Sequence, residues 1–159
     1  MSDIKKEKIK LHDLVPTIRA VIESDGEFLL YPSGESMRPT IRPGLDAVLL
    51  RRADTLRTGD LVLYQRKDGA YVLHRIVKIT ESGCFTTRGD NQFFNEYNVH
   101  PTTVIAKVCA IQKGKKRISV TSLRFRLGSR FRLTLYPLRK LLFRAKNKLK
   151  RTIGAKKNG

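Results

Sequence analysis

Tyr71-Val72-Leu73-His74-Arg75-Ile76-Val77-Lys78-Ile79-Thr80, then Glu81-Ser82-Gly83, then Cys84-Phe85-Thr86-Thr87-Arg88, then Gly89-Asp90-Asn91: this stretch reads as strand, tight turn, strand, tight turn. β-branched and aromatic residues fill both runs, and each run stops at a glycine-bearing turn signal. The same punctuation recurs on either side. Runs at 28–31, 47–51, 61–66, 104–112 and 117–120 are bounded by Thr58-Gly59-Asp60, Lys67-Asp68-Gly69 and Lys113-Gly114. Seven short strands over roughly 95 residues predict a mainly β body, a small coiled sheet or partial barrel. No 20- to 50-residue period repeats and no segment is of low complexity, which excludes solenoids and disordered chains.

Both flanks are helical in pattern. Leu11, Leu14, Val15, Ile18, Val21 and Ile22 recur at helical spacing, with Asp13 placed to cap the first turn and Pro16 early enough to be tolerated. From Ser122 helical spacing returns: Leu138, Leu141, Leu142, Ala145 and Leu149 share one face amid Lys and Arg, and Pro137 suits a first helical turn. The expected organisation is an N-terminal helical segment over 1–26, a catalytic core over 27–121 and a basic amphipathic tail over 122–159, frayed from Gly154 onward.

The 159 residues are 40% hydrophobic, enough for one core and too few for two. Charge divides along the same lines. Residues 1–121 hold 20 Lys or Arg against 14 Asp or Glu, whereas residues 122–159 hold 13 against none. A one-sided basic segment calls for an anionic partner, nucleic acid or an anionic lipid surface. Residues 122–151 combine a leucine face with basic flanks, which favours the lipid surface; without a recognised reading motif, nucleic acid is disfavoured. The competing expectation is that this helix packs its leucines onto the β body. Cys84 and Cys109 are two strand cysteines without CxxC or CxxH spacing, so neither a disulfide framework nor a metal site is expected, and no cofactor motif is present. The polar first ten residues lead into no apolar run of signal-peptide or membrane-span length. The sequence therefore predicts a cytoplasmic body, peripheral on a membrane if attached at all.

Hydroxyl nucleophiles need a base in reach and donors for the developing oxyanion. Ser36 stands out within Pro32-Ser33-Gly34-Glu35-Ser36-Met37-Arg38-Pro39, where prolines fix the path and Gly34 admits a close backbone approach. His74 is the histidine within a strand; His12 and His100 fall at a helix start and in a loop. Asp90 supplies one carboxylate at a strand-ending turn. Read one at a time, each has an ordinary alternative: a Gly/Pro/Ser turn, a core histidine, a turn aspartate.

Together these segments resemble the type I signal peptidases and their relatives, the self-cleaving LexA-type repressors. Gly34-Glu35-Ser36-Met37-Arg38-Pro39-Thr40-Ile41 is similar to the nucleophile box, Thr58-Gly59-Asp60-Leu61-Val62 to the Gly-Asp segment that follows it, and Arg88-Gly89-Asp90-Asn91 to the last box. His74-Arg75-Ile76-Val77 falls where bacterial enzymes carry a base lysine and the endoplasmic-reticulum and archaeal branch a histidine. The resemblance, over residues 27–112, implies a Ser/His serine endopeptidase acting on signal- or leader-type peptides. It implies Ser36 as nucleophile, His74 as base and Asp90 as the carboxylate acting with that histidine. Oxyanion and substrate binding would fall to Ser36, Gly34 and Met37, the Ser36 backbone N–H foremost. Many relatives carry a hydroxyl where this chain has Gly34, and Gly44-Leu45-Asp46 holds one residue more than the usual Gly-Asp. The sequence is expected to carry neither the transmembrane anchor nor the large insertions of such enzymes. Two further readings compete: a DNA-binding repressor, for which the segment before the core is short, and a non-catalytic relative using its basic tail for nucleic acid or lipid.

Overall fold

The computed structural model describes residues 10–155, with side chains described to residue 145. The chain runs α1 (Leu11–Glu23), β1 (Phe28–Leu30), a 3-10 turn (Glu35–Met37), β2 (Asp46–Arg51), β3 (Leu61–Gln65), β4 (Tyr71–Ile79) and β5 (Phe85–Arg88). It continues with β6 (Glu96–Val99), a second 3-10 turn (Pro101–Thr103), β7 (Val104–Lys113), β8 (Lys116–Ser119), α2 (Leu123–Thr134) and α3 (Tyr136–Ala155). All seven expected strands form, and β6 adds an eighth. Gly154 and Ala155, expected to be frayed, are the last residues of α3; residues 156–159 and the polar start at 1–9 lie outside the described residues.

Every strand pairing is antiparallel, in the order β1-β2-β7-β3-β4-β5-β6, with β8 also on β7. β7 lends one edge to β2 and divides the other between β3, at residues 104–107, and β8, at 110–113. The sheet is thereby coiled and open. Strand alternation gives it two apolar faces. Leu61, Leu63 and Leu73 join α1, Met37 and Ile41 in the larger cluster, while Val62, Tyr64, Ile76, Phe85 and Val99 form a smaller one.

Val15, Ile18 and Ile22 of α1 are buried in the larger cluster, each stabilising by about 1.5–3 kcal/mol. Asp13 lies in the first turn of α1, and the N-cap position is Lys10, which makes no side-chain cap. The extra residue in Gly44-Leu45-Asp46 is absorbed by a closed loop. Gly44 takes φ +69°, and the fully buried Asp46 accepts from the Arg42 backbone N–H at 2.9 Å and from Arg42 Nη2 at 2.7 Å, with Lys113 Nζ 3.3 Å away. The Arg42 guanidinium holds the Asp46 carboxyl down at about 2. This staple ties the segment after Ser36 to the start of β2.

Candidate active site

Three consecutive residues of β4 face alternate sides of the sheet. Leu73 enters the larger core; His74, paired with Val62, turns to the smaller one; Arg75 returns to the first side. His74 is 1% exposed. Its Nδ1 lies 3.2 Å from Glu96 Oε1 and 3.3 Å from Tyr64 Oη. Burial and the neighbouring Glu96 push the Tyr64 phenol up, so it keeps its proton and donates it to Glu96 Oε2 at 2.6 Å. The Tyr64 oxygen is then an acceptor toward Nδ1, and the Glu96 carboxylate, 3.2 Å away, favours a proton there by its charge. Both neighbours therefore favour the imidazole tautomer with its proton on Nδ1, leaving the Nε2 lone pair free. Burial lowers His74 to about 4, outweighing the pull of Glu96 in the other direction, and Arg66 beside the same carboxylate lowers it further. Glu96 is itself held below the usual range: burial would raise it, but bonds from Arg66 and Tyr64 prevail. At neutral pH the site thus contains a neutral imidazole beside a carboxylate that Arg66 already balances.

Asp90 is placed elsewhere. Its carboxylate receives Arg75 Nε at 2.8 Å and Nη2 at 2.7 Å and the Thr40 hydroxyl, with Arg132 Nη1 at 3.7 Å. Among the described residues Asp90 makes no hydrogen bond to His74. Burial alone would raise its pKa, but the Arg75 guanidinium and Thr40 hold it below the usual carboxylate range. Arg75 is also 1% exposed, and its remaining Nη1 donates to the Gly59 carbonyl at 2.8 Å and to Ser129 Oγ of α2 at 2.9 Å.

Ser36 sits in the 3-10 turn that packs against β4. Two contacts hold it there. The Met37 side chain, 2% exposed, is buried in the larger core, and the turn after β5 clasps the backbone: the Asn91 N–H donates to the Ser36 carbonyl at 2.8 Å and Asn91 Nδ2 to the Glu35 carbonyl at 3.3 Å. Gly89 is required by this approach, since a Cβ there would lie 2.6 Å from the Ser36 carbonyl oxygen and 2.9 Å from Ser36 Cβ. A Cβ at Gly34 would meet nothing within 4 Å, so the space beside that residue is open. Ser36 Oγ makes no hydrogen bond among the described residues, and neither does its backbone N–H.

The structure therefore brings Ser36 together with Gly89 and Asn91, joins Asp90 to Arg75, and gives His74 a carboxylate that sequence reasoning did not single out. Met37 works from the core side and not as an exposed contact. Glu96 lies on β6, a strand of only four residues that falls outside the runs the sequence pattern marks. Tyr64 and Thr87 carry no sequence signal beyond their strand positions, and their side chains bond each other at 2.8 Å.

α2 and α3 close over this region. Ser129 caps Arg75, the Tyr136 hydroxyl donates to the Phe93 carbonyl at 2.8 Å, Arg139 Nη1 donates to the Asp90 carbonyl at 3.2 Å, and Phe143 stacks on Phe93 with centroids 4.3 Å apart. Clefts of about 360 and 490 Å³ flank α2, and neither includes Ser36 or His74. Among the described residues no cluster of three His, Cys, Asp or Glu gathers to hold a metal, and no helix is long and apolar enough to cross a membrane.

None of the curated proteins matches the chain significantly. A family model described as Peptidase S24-like does match, over residues 2–109, which takes in the 3-10 turn with Ser36, all of β4 and β5, and the Asp90 turn. The family covers both peptidases and LexA-like repressors, and the chain belongs to it: this is a member of the Peptidase S24-like family.

Proposed function

We propose that the chain is a serine endopeptidase in which Ser36 is the nucleophile, His74 the general base and Glu96 the carboxylate that orients the imidazole. The observation that carries this reading is the Nδ1 environment of His74. With Tyr64 accepting there and the Glu96 charge 3.2 Å away, Nε2 keeps a lone pair, and burial keeps the ring neutral at pH 7. Nε2 takes the Ser36 Oγ proton as Oγ bonds to the scissile carbonyl carbon. The imidazolium, stabilised by Glu96, then returns that proton to the leaving amine as the C–N bond breaks and an acyl ester of Ser36 forms. Water, deprotonated by the same nitrogen, attacks the ester and releases the acid and free Ser36. The oxyanion is met by the unpaired Ser36 N–H at the start of the 3-10 turn, which carries no side-chain cap.

Asp90 then acts on position and not on protonation: anchored by Arg75, it fixes the turn whose Asn91 N–H grips the Ser36 carbonyl. The substrate class is a leader- or signal-type peptide bound as an added strand, where main-chain hydrogen bonds bind and small pockets select side chains. The test is incubation of the full chain with a panel of leader peptides, mapping products by mass spectrometry. A single cut that disappears in Ser36→Ala, with the circular dichroism unchanged, is the expected result; an equal cut by Ser36→Ala overturns the assignment.

A further inference from the structure

α2 and α3 run nearly end to end, joined at Leu135, whose N–H bonds the Phe131 carbonyl while its own carbonyl accepts from Arg139 N–H. The helices have two unlike faces. Phe125, Ser129, Arg132, Tyr136, Arg139 and Phe143 follow one another at three- and four-residue steps, and all six touch the body or the Asp90 turn. Opposite them, Leu123, Leu127, Phe131, Leu138 and Leu141 fall at steps of four, four, seven and three on one face and are 73%, 56%, 65%, 53% and 64% exposed. The chain is thus held by a mixed, largely polar face and turns its apolar stripe outward, the reverse of a helix that uses leucines to complete a core. Leu149 belongs to the expected stripe but its side chain lies outside the described residues.

We infer that this stripe is a docking surface for an anionic lipid bilayer, on which α2 and α3 lie in the interface plane. A patch of this kind on a monomer marks an interaction site, and the flanking charge selects the partner: Arg124, Arg126, Arg130 and Arg144 are exposed, and no acidic residue occurs after Thr121. Leucines beneath a basic rim fit acyl chains under anionic headgroups. The geometry disfavours nucleic acid, because Tyr136 and Phe143, two of the aromatics available for base stacking, are spent against Arg88 and Phe93. A second copy of the chain would bring two strongly basic surfaces together. The inference does not depend on the peptidase reading, since its readout is binding and not cleavage.

The test uses the full chain, because ending it at Thr121 would uncover Arg75 and Asp90 as well as remove the stripe. The chain contains no tryptophan, so Phe131→Trp supplies a single fluorophore within the stripe. Addition of phosphatidylglycerol vesicles is expected to shift its emission to the blue, with no shift on phosphatidylcholine alone. Leu127→Asp with Phe131→Asp, both exposed and so compatible with an unchanged fold by circular dichroism, is expected to lower co-sedimentation with anionic vesicles by about tenfold or more. Absence of binding at physiological salt overturns the inference. So does equal binding by the double variant, or tight DNA binding without vesicle binding, or a dimer in solution that the double variant abolishes while vesicles are ignored.

Discussion

Arg75 and Asp90 form a bidentate pair with both side chains almost fully buried, at 2.8 Å from Nε to Oδ1 and 2.7 Å from Nη2 to Oδ2. The carboxylate of the last motif is therefore a structural staple joining β4, the Ser36 turn and α2. Asp90→Asn leaves an uncompensated buried guanidinium, and removal of one partner of such a pair costs about 3–5 kcal/mol. Chemical denaturation is expected to show that loss in the variant. Unchanged stability with abolished cleavage would instead place Asp90 in the chemistry.

Glu96 carries the opposite expectation. Glu96→Gln keeps a similar shape but offers its NH₂ group as readily as its oxygen to Nδ1, losing the bias toward the productive tautomer and the charge beside the imidazolium. By comparison with other triads that lost this carboxylate, kcat is expected to fall by about 10²- to 10⁴-fold. Arg66 is about one-third exposed and can turn to water, so the fold is retained. Wild-type kcat in Glu96→Gln would remove this residue from the mechanism.

The His74 environment sets a pH dependence. An imidazole held at about 4 is already neutral at pH 6, so kcat/KM is expected to rise through about pH 4 and to be level by pH 6, and not to step near the free value of about 6.5. For stability, the unfolded chain takes up this proton at higher pH than the native state does. The contribution of His74 is complete above about pH 6.5 and is lost as pH falls toward 4, on the order of 3 kcal/mol in all. Asp90 and Glu96, both lowered in the fold, add loss below about pH 4. Denaturation midpoints measured from pH 7 to pH 4 check this; a midpoint flat to pH 4.5 contradicts it.

Gly89 and Gly34 should separate cleanly. Gly89→Ala drives a methyl into the Ser36 carbonyl and Cβ, which must displace the 3-10 turn at a cost of about 1–3 kcal/mol. Cleavage is expected to fall together with stability. Gly34→Ala meets nothing within the protein and is expected to leave stability unchanged, with any effect appearing in KM. A stable and fully active Gly89→Ala would mean that the clasp on Ser36 does not position it.

Local pattern was sufficient for most of the elements, though not for the four-residue β6. Alternation and Gly-bearing turns specify β4 and β5 without reference to the rest of the chain, and the helical spacing of Leu11 to Ile22 specifies α1. The order of the motifs around Ser36, His74 and Asp90 was likewise legible, because each is a contiguous run. What no run could reveal is which carboxylate meets which cation. Asp90 and Glu96 are six residues apart on either side of a turn, and only the β5–β6 pairing, with Thr87 opposite Glu96, carries Glu96 to the His74 side of the sheet while Asp90 falls to the Arg75 side. The C-terminal helices follow the same rule. Sequence spacing defined an apolar face and a basic one, but both could have served the core or the solvent. The choice was made by Ser129, Arg132 and Arg139, whose hydrogen bonds to Arg75, Thr40 and the Asp90 carbonyl hold the polar face inward, since ion pairing and hydrogen bonding across the fold are tertiary quantities that periodicity does not encode.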